Sequence, residues 1–285
     1  MHDNGVAPTA RTDLTDVPTP PRQDNGPLPE SPRLVDDFVM GMRFFSRLPI
    51  GGGPHETPSL ARMAPAAPLV SIAIGFLPAL MMMGLCWMTA PPLLAAALGV
   101  GLMVIFTGAM PEDALADAAD GLFGGATIER RLEIMRDSRH GTYGVVAIAL
   151  YLVIRIGTFG SIAAVNPLAA GALMLASAVL GRTGALWLSV ELPPAREGGA
   201  SASAGRVTRR AFGIGAAFAA MLYLVLAGPF TGLVGVVLGL LAAAGTAVAW
   251  VWVCRRLVGG QTGDLIGALH ALIEVAVLTM FAIFA

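Results

Sequence analysis

Lysine is missing from this sequence; all 18 basic residues are arginine. That absence excludes Schiff-base catalysis through a lysine amine and a P-loop lysine grip on nucleotide phosphates. Charge of either sign is sparse, at 13% of residues, where soluble globular proteins carry about 25%. A net charge of −1 offers no basic surface for nucleic acid. The two cysteines, Cys86 and Cys254, sit inside apolar runs. An unpaired thiol there acts as a small hydrophobe, and no disulfide scaffold is expected. The start of the chain lacks the apolar stretch of a cleaved signal peptide.

What is present is apolar. Hydrophobic residues make up 55% of the 285, and the mean hydropathy is +0.72. The composition reads as one integral membrane domain, residues 36–285, behind a tail of residues 1–35. The tail mixes Pro, Asp, Thr, Asn and Arg, as in Thr19-Pro20-Pro21-Arg22, and holds too few apolar side chains to offset the entropy of ordering it. It is expected to be a disordered cytoplasmic segment. Residues 36–50 are amphipathic: Phe38, Met42 and Phe45 share a helical face, and Arg43 and Arg47 are placed to meet headgroups. That pattern predicts an interfacial helix.

Apolar runs follow at about 66–89, 91–111, 144–165, 167–190, 211–229, 231–253 and 265–284. Each is near the roughly 20 residues that cross a hydrocarbon core of about 30 Å. In lipid each backbone polar group must be satisfied within its own segment, so the runs are helices. The expected fold is an all-α polytopic membrane protein with about seven transmembrane helices plus short cytoplasmic or interfacial helices. Tight turns at Ala90-Pro91-Pro92, Asn166-Pro167 and Gly228-Pro229 separate paired runs.

Arginine sorts the connections into two sides. Six arginines precede the first run, four lie in 112–143, four in 193–210, and Arg255 and Arg256 occupy the last long loop, while the three tight turns hold none. By the positive-inside rule the N-terminus and the three long loops are cytoplasmic. Arg155 and Arg182 remain within the membrane, where each needs an acidic or phosphate partner.

The chemistry concentrates after the second run. In Glu112-Asp113-Ala114-Leu115-Ala116-Asp117-Ala118-Ala119-Asp120-Gly121, the three aspartates stand at i, i+4 and i+7. On a helix they share one face within about 60°. Three carboxylates that close repel one another, and a divalent cation removes that cost. An oxygen-only donor set favours Mg²⁺ or Mn²⁺ over Zn²⁺. Gly121 to Gly125 reads as a flexible turn. Thr127 is placed to cap a helix running to about Arg139, with Ile128, Leu132 and Met135 as its apolar stripe. Asp137 would complete the metal site, while Arg130, Arg131, Arg136 and Arg139 would hold phosphate. Near the C-terminus, Asp264 opens a helix that carries His270 and Glu274 at i, i+4. An ionisable pair at that depth is a candidate functional element.

These motifs resemble the cobalamin synthase family, the adenosylcobinamide-GDP ribazoletransferases, from about Phe38 to the C-terminus. The block Asp113 to Gly121 and the block Glu129 to Gly144 carry the resemblance, flanked by Phe44 to Ile50 and by Gly260 to Asp264 with Glu274. The resemblance implies a multi-pass inner-membrane, Mg²⁺-dependent phosphotransferase acting late in cobalamin biosynthesis. It would join adenosylcobinamide-GDP to α-ribazole, or to α-ribazole 5′-phosphate, and release GMP. Asp113, Asp117, Asp120 and Asp137 would be its metal-binding and catalytic residues. Arg130, Arg131, Arg136, Arg139, Asp264 and Glu274 would bind substrate. Three positions depart from the family pattern: Pro111 stands where histidine is expected, Ala114 where glycine is usual, and His140 where an aliphatic residue is common. His140 would then be available as a proton carrier that the family chemistry does not require; the base expected to take the ribazole hydroxyl proton is Asp137, with a nearby histidine as the alternative.

Two other readings compete. A CDP-alcohol phosphotransferase making phospholipid also uses clustered membrane aspartates. Its signature, however, places Ala-Arg after Asp-Gly, and Asp120-Gly121 is followed by Leu-Phe-Gly-Gly. A cation-coupled transporter would show repeated, broken helix halves, and no internal repeat is evident. The small-residue run Gly232 to Gly239 offers a face for close helix packing, so an oligomer is compatible with the sequence.

Overall fold

The computed structural model describes residues 1–2, 34–51, 57–137, 139–196 and 204–284. The predicted disordered tail falls almost wholly outside the described residues. The chain divides into two units, residues 1–33 and Leu34–Ala285. The described residues of the second unit are helical, with no strand among them beyond a single bridge between Pro194 and Gln261.

The helices are α1 (Leu34–Phe45), α2 (Leu60–Met63), α3 (Ala67–Trp87), α4 (Pro92–Thr107), α5 (Met110–Gly124), α6 (Ile128–Ile134), α7 (Thr142–Val165), α8 (Pro167–Ala185), α9 (Trp187–Glu191), α10 (Arg209–Leu257) and α11 (Gly263–Phe284). Among the described residues, five helical segments are long and apolar enough to cross a membrane, and six if the bent pair α4–α5 counts as one crossing. The chain is therefore an all-α polytopic membrane protein.

The 49 residues of α10 would run about 74 Å if straight, more than twice the hydrocarbon thickness. They fold back instead at Gly232, whose φ of 65° and ψ of 178° lie outside the helical region. Its two limbs pack side by side: a Cβ at Gly239 would strike the Tyr223 hydroxyl. The expected apolar runs at 211–229 and 231–253 are these limbs. The break, however, lies at Gly232 and not at Gly228-Pro229, which stays helical. A left-handed φ is open to glycine at little cost, and this is the residue that takes the turn.

The other predicted turns hold. Pro92 opens α4, and Asn166 caps α8 by accepting the N–H groups of Leu168 and Ala169 at 3.0 and 3.2 Å. In the segment Pro167–Glu191, 83% of the apolar window is buried, against 22% for α7. Thus α8 is the central helix, packed by α3, α10 and α11, while α7 turns Leu150 and Val153 outward. Near-consecutive small residues on α8 let its neighbours approach. A Cβ at Gly181 would lie 2.7 Å from His270 Cδ2 and 2.8 Å from Glu274 Cγ.

Between α4 and α5 the axis turns by 83°. Gly108 and Ala109 both take positive φ, 63° and 57°, and Pro111 in the first turn of α5 needs no helical donor. We read α4 as an apolar limb and α5 as the arm beyond it, which lays its carboxylates against α7 and α11.

Two local expectations are corrected. Helix α5 continues through Gly121 to Gly124, so this stretch is not a loose turn. Its glycine at 121 makes room for Met135, whose Cγ would be 2.5 Å from a Cβ there. Helix α6 is capped by Thr127 as predicted but stops at Ile134, five residues short of Arg139. Asp137 accepts the backbone N–H of Arg139 at 3.1 Å, a local hydrogen bond that competes with helix continuation.

Candidate active site

The helical spacing brings Asp113 and Asp117 together. Their carboxylates and the imidazole of His140 each present a donor atom within 4.8 Å of the others. His140 Nε2 lies 3.7 Å from Asp113 Oδ1, and Nδ1 lies 3.7 Å from Asp117 Oδ1. The Asp113 side chain is 63% exposed and that of Asp117 17%, so the cluster opens outward from Asp117. Burial, then the neighbouring Asp113 and Asp264 carboxylates, push the Asp117 acid up to about 6. That is the electrostatic strain a cation would relieve.

Asp120 serves a different geometry. It is buried, and its two oxygens accept the backbone N–H groups of Gly141 at 2.6 Å and Gly144 at 2.9 Å. These are donors at the N-terminus of α7, where a carboxylate is favoured. A Cβ at Gly141 or Gly144 would come within 2.5 or 2.4 Å of an Asp120 oxygen. Asp120 thus anchors the chain at the residue after His140 and sets the imidazole over Asp113 and Asp117.

Asp137 does not join that group in this structure. It forms a forked pair with Arg139, Nε to Oδ1 at 3.0 Å and Nη2 to Oδ2 at 2.6 Å. The Arg139 guanidinium holds its acid down to about 2. The arginines of this region also divide. Arg130 pairs with Glu133 at 2.7 Å on the exposed face of α6, and Arg136 is exposed. Arg131 turns inward and donates to the Leu257 carbonyl at 2.8 Å, tying α6 to the end of α10.

Asp264 lines the same cavity as Asp113 and has Arg196 at 3.8 Å. The Thr262 hydroxyl donates to it at 3.3 Å.

Glu274 lies deeper, in a buried network that sequence reasoning foresaw only in part. Arg155 bridges Glu112 at 3.0 Å and Glu274 at 3.5 Å, Tyr151 donates its hydroxyl to Glu274, and His270 Nε2 stands 3.5 Å from Glu274. Arg155 thus finds acidic partners, whereas Arg182 donates to the Ser71 hydroxyl at 2.8 Å and stacks on the Phe45 ring at 5.5 Å. Glu112 and Tyr151 were the unexpected members. The available signal for Tyr151 was its place four residues before Arg155 on the same helix face.

The fold and site define a polytopic membrane protein with a carboxylate–imidazole cluster at one end of its helices and a balanced ionic network beneath it. Residues 37–282 match the model of the cobalamin-5-phosphate synthase family, and the chain belongs to that family. A curated relative from Azorhizobium caulinodans, adenosylcobinamide-GDP ribazoletransferase, is 40% identical over 257 residues, 89% of this chain and 97% of the relative. Relatives of the same name from Xanthobacter autotrophicus and Bradyrhizobium diazoefficiens are 40% and 37% identical, over 83% and 88% of this chain and 91% and 95% of their own lengths. No solved structure matches.

Proposed function

We propose that the chain transfers the phosphoryl-linked cobinamide of adenosylcobinamide-GDP to a hydroxyl of α-ribazole or its 5′-phosphate, with release of GMP. Family membership supports this reading, and one observation carries it into the site: Asp113 and Asp117 converge with His140 at the open end of the cluster. The ribazole hydroxyl oxygen attacks the phosphorus that bears the cobinamide. The bond from that phosphorus to the GMP oxygen breaks, and the hydroxyl proton passes to a base. His140, 3.7 Å from each carboxylate, is placed to take it.

The donor set suits a hard divalent cation. Asp113 and Asp117 would hold Mg²⁺, and the imidazole is a poor Mg²⁺ ligand, which leaves His140 for the proton. Bound there, Mg²⁺ would neutralise the diphosphate and the leaving GMP. Asp120 positions His140 through Gly141. The exposed arginines Arg130, Arg136 and Arg139 are available for nucleotide phosphates, Arg139 after exchanging its partner Asp137. Asp137 freed in that exchange is the remaining candidate ligand or base.

The arginine asymmetry supports an inner-membrane orientation with the N-terminus and this site on the cytoplasmic side, where a soluble nucleotide substrate is available. The small-residue face at Gly235 and Gly239 is filled within the chain, by Thr231, Phe284 and Tyr223, and is not offered to a second copy. The decisive experiment is Asp117→Asn in detergent. GMP release should fall to background while the protein stays folded, and wild-type turnover by this variant would remove the metal-site assignment.

A further inference from the structure

A cavity of about 260 Å³ runs from the carboxylates into the protein. Asp113 and Asp264 stand at its mouth, Phe45, Leu186 and Ile266 form its walls, and Arg182 and His270 lie on its floor. The floor residues are 3% and 7% exposed. Arg182 spends one nitrogen on Ser71, but its Nε has no hydrogen-bond partner. A buried, unpartnered N–H on a side chain that lines the cavity calls for an acceptor.

We propose that this cavity holds the aromatic base of the acceptor nucleoside. The ring lies between the apolar walls, its free ring nitrogen accepts from the Arg182 Nε, and its sugar hydroxyls emerge at Asp113 and Asp264. Size decides against the larger substrate. The volume falls below the roughly 300–1,000 Å³ of pockets for drug-sized ligands, so it admits one bicyclic ring and no corrin macrocycle. Chemistry decides against guanine: seated base-inward, its ring N–H and amino donors would meet the Arg182 donor and the apolar walls, with the Asp113 and Asp264 carboxylates left at the mouth. A benzimidazole edge makes no such demand. The proposal rests on the transferase reading above, because it places the attacking hydroxyl at the carboxylate cluster.

The test uses the full-length protein in detergent with Mg²⁺, titrated calorimetrically with α-ribazole and separately with GDP. Ala185, buried at 3% and lining the cavity, is replaced in Ala185→Leu to narrow it. The dissociation constant for α-ribazole should rise about tenfold or more, the scale of a misfit methylene in an apolar pocket. That for GDP should stay within about twofold, which also reports a folded variant. If Ala185→Leu does not fold, Ile266→Ala removes a wall instead and should weaken α-ribazole selectively. Unchanged α-ribazole binding in the folded variant, or a loss confined to GDP, would overturn the proposal. Failure of the transferase reading looks different: the wild type would release no GMP from adenosylcobinamide-GDP, whatever its affinity for α-ribazole.

Discussion

The Asp120 carboxylate holds the start of α7 through the backbone N–H groups of Gly141 at 2.6 Å and Gly144 at 2.9 Å. Because those hydrogen bonds also fix the neighbour of His140, they couple helix capping to the position of the imidazole. In Asp120→Asn one acceptor oxygen becomes an amide donor facing an N–H. The cost should be about 1.5–3 kcal/mol, the range for charged hydrogen bonds. A lowered melting temperature and a fall in kcat, measured on the same preparation, check this.

Helix propensity alone would make Gly144→Ala stabilising by about 1 kcal/mol. The space around it reverses the sign. A Cβ would sit 2.4 Å from Asp120 Oδ2 and 3.1 Å from the Ala116 Cβ, and the buried carboxylate has nowhere to retreat. Thermal unfolding in detergent should show Gly144→Ala melting below the wild type, with slower GMP release.

Asp117 gives a pH dependence. Its acid is raised from 3.8 to about 6, so the metal-free protein is favoured by protonation there. That contribution is full below pH 3.8 and is lost as pH rises through 6. A cation can compensate only where the carboxylate is ionised. Added Mg²⁺ should therefore raise the melting temperature clearly at pH 7.5 and little at pH 5. In Asp117→Asn the contrast between the two pH values should shrink.

The ionic network predicts a non-additive pair. Arg155 is 3% exposed and serves both Glu112 and Glu274. Removing it in Arg155→Met leaves two buried carboxylates uncompensated, which should cost about 3–5 kcal/mol. The triple variant Glu112→Gln, Arg155→Met, Glu274→Gln should recover part of that loss. Chemical denaturation of the wild type, Arg155→Met, the double variant Glu112→Gln/Glu274→Gln and the triple variant closes the cycle and gives the coupling.

The sequence showed the architecture through long apolar runs, because lipid leaves helices as the way to satisfy their backbones. It located the cluster through the spacing of Asp113 and Asp117 on one face. It was less informative where a residue's partner lies far along the chain. Asp120 shares the helical face by spacing, but its ligands are backbone groups of α7, and no pattern in α5 announces them. Asp137 lost its expected place to a neighbour two residues away, since a short fork to Arg139 closes locally. Gly228-Pro229 carried the stronger turn signal, yet proline can sit inside a helix, whereas the φ of 65° at Gly232 cannot belong to one.

The contact between Tyr151 and Glu274, 123 positions apart, bears on biogenesis. Glu274 and His270 belong to α11, which is synthesised after α5, α7 and α8, and until it inserts the two buried arginines of the network, Arg155 and Arg182, have Glu112 as their shared counter-charge. An ordered intermediate short of α11 therefore retains an incompletely neutralised guanidinium within the bilayer. Nascent chains should stay sensitive to membrane proteases until α11 arrives, which makes its insertion the step that closes the network.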